Sequence, residues 1–184
     1  EAPRLACQTC HAADGSGNVY VIEAFPDITL KFSSLRPSNA EVKQAKYRRV
    51  LKYTSDGAFV AEWDQYYGAS DIAVGASGNV YLAIGGGIQV FSPDGTLLVQ
   101  WGSSGSGPGQ FGSEKGIAID GLDNVYVVDV YNSRIEKFAS DGTFLTEWGS
   151  VGTGPSQFNI PRRVAVDGLD HVYVSDWNNV RIQK

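Results

Sequence analysis

The 184-residue chain has no methionine at all, and only two cysteines and two histidines. With so few histidines, a Ser-His-Asp catalytic set would have to be built on His11 or His171, and neither has matching partners in sequence. No run approaches the roughly 18–20 apolar residues that a membrane-spanning helix requires. Neither glycine-rich loop is followed by Gly-Lys-Ser/Thr, which excludes the common phosphate cradle. Acidic residues are nearly absent between positions 29 and 52. Lys31, Arg36, Lys43, Lys46, Arg48, Arg49 and Lys52 stand there against Glu41 alone, a local balance of +6 in a chain of net charge −5. What the chain does have is 22 glycines, nine tyrosines and four tryptophans. Abundant glycine with aromatic and β-branched residues points to sheet and tight turns.

The chain also repeats itself. WGSSGSGPGQF (101–111) and WGSVGTGPSQF (148–158) agree at eight of eleven positions, 47 residues apart. KGIAID (115–120) and RRVAVD (162–167) follow them, then DNVYVVD (123–129) and DHVYVSD (170–176). RIEKFASDGTFLTEW (134–148) completes the first copy, and RIQK (181–184) begins the same run in the second. Two earlier copies occupy 70–102 and, split by an insertion, 12–63. Each holds four short runs of period-two alternation, the mark of half-buried strands. Asp56-Gly57, Asp94-Gly95 and Asp141-Gly142 separate runs and suit tight hairpins. Four antiparallel strands in each roughly 40–47-residue unit predict propeller blades.

The ordered motifs G-x-G-P-x-Q-F, [IV]-A-[IV]-D, N-V-Y-V-x-D, N-x-R-I-x-K-F and D-G-x-F-L-x-x-W-G resemble the NHL repeat. The resemblance implies an all-β propeller of four-stranded antiparallel blades, commonly six to a ring. About three and two-thirds blades are present here. The expected division is a tail at 1–9, blade 1 at 10–63 with a basic insertion at 24–46, blade 2 at 64–102, blade 3 at 103–149 and an incomplete blade 4 at 150–184. The missing blades are expected from the rest of a longer chain or from another copy.

The opening CQTCHAADGSGNVYV (7–21) serves two readings. Aligned on Asp14, Asp120 and Asp167, it starts blade 1 and puts His11 in the slot of Ile117 and Val164, facing the core. It also resembles the haem-attachment motif of c-type cytochromes, which implies thioethers at Cys7 and Cys10 and an axial His11. Against haem stand the early onset of strand pattern, the lack of methionine for the far axial position, and the conflict between a core-facing ring and one that binds iron. A disulfide, a three-ligand zinc site or two free thiols remain open. Haem or a disulfide would place the chain outside the cytoplasm, periplasmic or secreted.

Loops joining second to third strands, and fourth strands to the next blade, gather on one propeller face. The expected ligand-binding face holds Tyr131, Asn132, Trp177 and Asn178, with Arg162, Arg163 and Lys115 entering from the same side. An aromatic flanked by Asp and Asn suits a polar ligand or peptide. Asp129, Asn132 and Arg134, and their counterparts Asp176, Asn179 and Arg181, recur in step, as residues that tie turns to strands do. The expected function is a non-catalytic scaffold for a protein, peptide or polar ligand, with no required cofactor. Haem-based electron transfer is the alternative, and a lyase with its catalytic groups outside 1–184 is a second. Nucleic acid is disfavoured by the −11 carried outside the basic segment, except through residues 31–52.

Overall fold

A computed structural model describes residues 11–24, 48–65 and 68–184. Every regular element among them is a strand. Blade 1 comprises β1 (His11–Ala13), β2 (Val19–Ala24), β3 (Arg48–Tyr53) and β4 (Phe59–Gln65). Blade 2 comprises β5 (Asp71–Val74), β6 (Val80–Ile84), β7 (Gly87–Phe91) and β8 (Leu97–Trp101). A short parallel pair, β9 (Ser103–Ser104) and β10 (Gln110–Phe111), leads onward. Blade 3 is β11 (Glu114–Ile119), β12 (Val125–Asp129), β13 (Arg134–Phe138) and β14 (Phe144–Trp148). Blade 4 has β15 (Pro161–Val166), β16 (Val172–Asp176) and β17 (Arg181–Gln183). Each blade is an antiparallel meander in chain order, so local pairing alone builds it.

The first strands β1, β5, β11 and β15 lie side by side along the axis, and three apolar clusters fill the spaces between blades. Alternation explains this: one set of each strand's residues faces the preceding blade and the other the following one. The Phe of each Gln-Phe pair is a plug. Phe111 enters the cluster with Ile88 and Ile117, and Phe158 the cluster with Ile135 and Val164. The last-strand tryptophans seat the next blade's hairpin. A Cβ at Gly95 would meet the Trp63 ring at 2.9 Å, and one at Gly142 would meet Trp101 at 2.6 Å.

The hairpins take a defined form, and one expectation needs correction. In the Asp-Gly hairpins only the glycine is left-handed, with φ of 88° at Gly57 and 89° at Gly95 and Gly142. The Thr54 carbonyl accepts from Gly57 N–H while Thr54 N–H donates to the Ala58 carbonyl. That is a type I turn closed by a glycine bulge, a tight hairpin as the Asp-Gly pairs predict. His11 pairs with Val21, as Ile117 pairs with Val127 and Val164 with Val174, yet His11 is exposed while Ile117 and Val164 are buried. Those two face the preceding blade, and no described element precedes blade 1. Cys7, Cys10 and the insertion at 24–46 lie outside the described residues, apart from the backbone of Ala24.

Candidate binding face

The face is built on two arginine clamps, that of Arg134 buried and that of Arg181 partly exposed. In blade 3, Arg134 Nη1 donates to the Ser106 carbonyl at 2.8 Å, and Nη2 donates to the carbonyls of Gly107 (2.8 Å) and Gln110 (2.7 Å). The same guanidinium reaches Glu136 at 3.0 Å and Glu147 at 2.8 Å. Glu136 in turn accepts from Gly109 N–H at 2.7 Å. In blade 4, Arg181 donates to the carbonyls of Thr153, Gly154 and Gln157. The two Gly-x-Gly-Pro-x-Gln loops thus have their carbonyls satisfied by a cation that the third strand supplies, which holds otherwise floppy glycine-rich chain in one shape.

The buried aspartates complete each clamp. Asp129 accepts from Gly112 N–H at 3.0 Å and from Asn132 Nδ2 at 2.7 Å. Asp176 accepts from Asn159 N–H and Asn179 Nδ2, both at 2.7 Å. The recurring Asp, Asn and Arg are therefore structural ties, as their periodicity implied.

The expected site residues divide. Tyr131 and Trp177 stand out from these loops, 78% and 58% exposed. The Arg162 guanidinium lies 4.1 Å over the Trp177 ring, and Asn178 Nδ2 donates to Asn159 Oδ1 beside it at 3.1 Å. Asn132 is spent on the fold, since its amide also donates to the Gly105 carbonyl at 2.9 Å. Lys115 sits in β11, its side chain outside the described residues. Arg163 turns toward the axis and pairs with Asp71 Oδ2 at 3.4 Å, two blades away.

Gly116 permits that long reach. A Cβ there would stand 2.8 Å from the Arg162 carbonyl and 3.0 Å from Arg163 Cα. Asp71 also accepts from Ile117 N–H at 3.2 Å. Burial pushes its carboxyl above the usual range against the pull of Arg163.

Sequence reasoning missed Glu136. Its side chain is fully buried, and burial pushes its carboxyl up to about 7 despite the Gly109 N–H and Arg134. Register was the available signal: the same position holds Gln89 in blade 2, Gln183 in blade 4 and Leu51 in blade 1. Among the described residues no cluster of three or more His, Cys, Asp or Glu is arranged to hold a metal.

Comparison with known proteins rests on this frame. Residues 158–184 match the NHL repeat. The clamp built on Asp176, Asn179 and Arg181 lies within that match, and Asp129, Asn132 and Arg134 reproduce it in blade 3. Among curated proteins none matches the chain. Among solved structures, a streptogramin B lyase is 14% identical with a TM-score of 0.64, covering 95% of this chain and 49% of its own. A Bacteroides caccae protein of unknown function is 15% identical with a TM-score of 0.54, over 96% of this chain and 59% of its own. One from Bacteroides thetaiotaomicron VPI-5482 is 13% identical, also with a TM-score of 0.54, over 94% and 57%. At such identities the likeness is one of fold, an arc of a β-propeller. The chain spans about half to three-fifths of the length of these structures.

Proposed function

We propose that the chain is a non-catalytic binding scaffold whose loop face, marked by Tyr131, Trp177 and Arg162, takes a protein or peptide. The observation that carries this is the pairing of exposed aromatics with arginine clamps that fix the loops beneath them. Tyr131 and Trp177 present apolar area at little entropic cost because the loops beneath them are already fixed. A photo-cross-linking residue at 131 or 177 tests the reading, with Leu122 and Leu169 at the opposite hairpin tips as controls. Specific, competable cross-links from 131 and 177 alone support it. Equal capture from both faces, or none from either, overturns it.

A second reading, covalent haem on Cys7 and Cys10 with His11 as axial ligand, is favoured by one observation. Cys7, Cys10 and His11 stand in the attachment spacing at the start of β1, with His11 as its first residue. Haem would supply one-electron transfer, and such attachment, like a disulfide, implies an extracytoplasmic location. A visible spectrum that survives acid–acetone extraction supports this reading, and a featureless one from an exported sample removes it. The lyase alternative draws only on fold, since the 14% identity carries no residue across.

A further inference from the structure

We infer that Glu136 is a pH latch on the binding face: when its carboxylate takes up a proton, Arg134 leaves it for Asp129 and tightens the loop that carries Tyr131. This rests on the loop face being a binding surface and supplies its regulation. Glu136 lies opposite Val127, on the side of blade 3 that packs against blade 2.

The arrangement of the side chains suits an ionised carboxylate. Glu136 is fully buried and both of its oxygens accept, Oε2 from Gly109 N–H at 2.7 Å and Oε1 from Arg134 Nη2 at 3.0 Å. Arg134 follows that charge. Its Nε is buried without an acceptor and stands 3.5 Å from Asp129 Oδ2.

Blade 4 holds the same position in neutral form. Gln183 lies opposite Val174 as Glu136 lies opposite Val127. Its Oε1 accepts from Ser156 N–H at 3.1 Å, and its Nε2 donates to the Gln157 carbonyl at 2.7 Å. Arg181 Nε there donates to Asp176 Oδ2 at 2.9 Å. A protonated carboxyl, like an amide, offers one donor beside an acceptor. The O–H of a protonated Glu136 can therefore donate to the Gln110 carbonyl, the counterpart of Gln157, which leaves Arg134 to Asp129. Blade 1 has Leu51 at this position and blade 2 has Gln89, so among the described blades the titratable group belongs to blade 3.

The charged groups facing Glu136 are Arg134 on its own strand, Asp129 on β12 and Glu147 on β14, and residues 105–110 bring no titratable side chain. Burial, aided by the two acids, outweighs the Gly109 N–H and Arg134 and lifts the carboxyl to about 7. Asp129 passes the change on. It accepts from Gly112 N–H and Asn132 Nδ2, and a Cβ on Gly112 would stand 2.8 Å from Tyr131 Cβ. An arginine bonded to Asp129 adds a charge-assisted hydrogen bond to this loop, whereas one drawn to Glu136 leaves the loop to neutral donors. Capture at Tyr131 is thus stronger below neutrality than above it.

The test follows Arg134 Nε–H and the Asn132 amide in the ¹⁵N-labelled full chain without ligand, from about pH 5.5 to about pH 8.5. Both are expected to move with one midpoint at about 7, together with the ¹³C signal of the Glu136 carboxyl. Nε–H should shift downfield on the acid side as it gains Asp129. Glu136→Gln should hold both reporters in the acid form throughout. Glu147, which has no counterpart among the three strands of blade 4, also takes Arg134 Nη1 at 2.8 Å. Glu147→Gln should therefore lower the midpoint and keep the transition. An Nε–H bonded at every pH in Glu147→Gln would assign the arginine's position to Glu147 and overturn the latch. A midpoint that survives Glu136→Gln and tracks the ring signals of His11 or His171 would do the same. So would a Glu136 ¹³C titration in the parent chain that moves neither reporter, a measurement that needs no variant to fold. Cross-linking from position 131 then reads the coupling, with several-fold higher yield expected at about pH 6 than at about pH 8, and equal yields in Glu136→Gln. Reporters that move while the yield from 131 stays constant would overturn the regulation and leave the binding face standing. Reporters that move with no capture from either face would instead overturn the binding surface on which the regulation rests.

Discussion

Blades 3 and 4 are the same unit read twice, and at the third-strand position beside the arginine their clamps differ by one charge. In blade 3 the arginine is shared with buried Glu136, and its Nε stands 3.5 Å from Asp129 with no hydrogen bond. In blade 4 Gln183 replaces the carboxylate, and the Arg181 Nε lies 2.9 Å from Asp176. Gln183 still makes the loop contacts, accepting from Ser156 N–H at 3.1 Å and donating to the Gln157 carbonyl at 2.7 Å. The clamp therefore works with a neutral amide. Glu136 adds negative charge to a site where Asp129 and Glu147 already face one guanidinium, and it draws the arginine off its aspartate.

The largest effect should come from removing the arginine itself. Arg134→Ala leaves Glu136 and Asp129 buried without a cation, and is expected to cost about 3–5 kcal/mol. Arg181→Ala, at a partly exposed site with one buried acid, should cost about 1–2 kcal/mol in the same urea denaturation series. Equal losses would erase the distinction between the clamps.

Glu136→Gln should convert the blade 3 clamp to the blade 4 form. The folded chain holds a proton on Glu136 up to about pH 7, whereas the unfolded chain releases it near 4.5. The contribution of this group to stability therefore falls as pH rises through that window. The variant should lose that slope and be more stable than the parent at pH 8, by about 1–2 kcal/mol. A pH profile parallel to the parent's would rule this out.

Blades 2 and 3 offer a second contrast, in the turn after the first strand. Asp120 caps its own turn, accepting from Leu122 and Asn124 N–H and from the Tyr126 hydroxyl. Blade 2 has Gly75 instead, and Asp123 reaches across from blade 3 to accept from Ala76 and Ser77 N–H at 2.6 and 3.2 Å. A Cβ at 75 would overlap that carboxylate. Asp123→Ala should cost about 1 kcal/mol or slightly more, with faster amide exchange at 76 and 77 than at 122 and 124. The smallest effects separate the tyrosines. Tyr126→Phe loses a hydrogen bond worth about 1 kcal/mol, while Tyr81→Phe should be neutral or slightly stabilising. The Tyr81 hydroxyl is buried without a partner, and burial with the nearby Asp123 charge raises it to about 12.

What could be read from sequence follows from what sequence encodes. Repetition at 47 residues carried the blades, their order and the structural Asp, Asn and Arg. Alternation carried which residues face inward, and it misled at His11 because burial there depends on a neighbouring blade and not on the strand itself. The Arg163–Asp71 pair left no trace, since its partners are 92 positions apart and meet only because Gly116 lacks a side chain. Glu136 was visible in principle by stacking the blades, but the alternation in RIEKF does not single it out. The Arg162–Trp177 contact needed geometry, because neither residue announces a partner.

The borrowed carboxylate also sets a schedule. Asp123 lies 47 residues after the Ala76 amide that it caps. At roughly 5–20 residues per second, a ribosome delivers it some seconds after blade 2 has left the exit tunnel, whereas the Asp120 turn arrives with its own cap. Blade 2 is thus born incomplete, and its hairpin becomes final only when its younger neighbour docks.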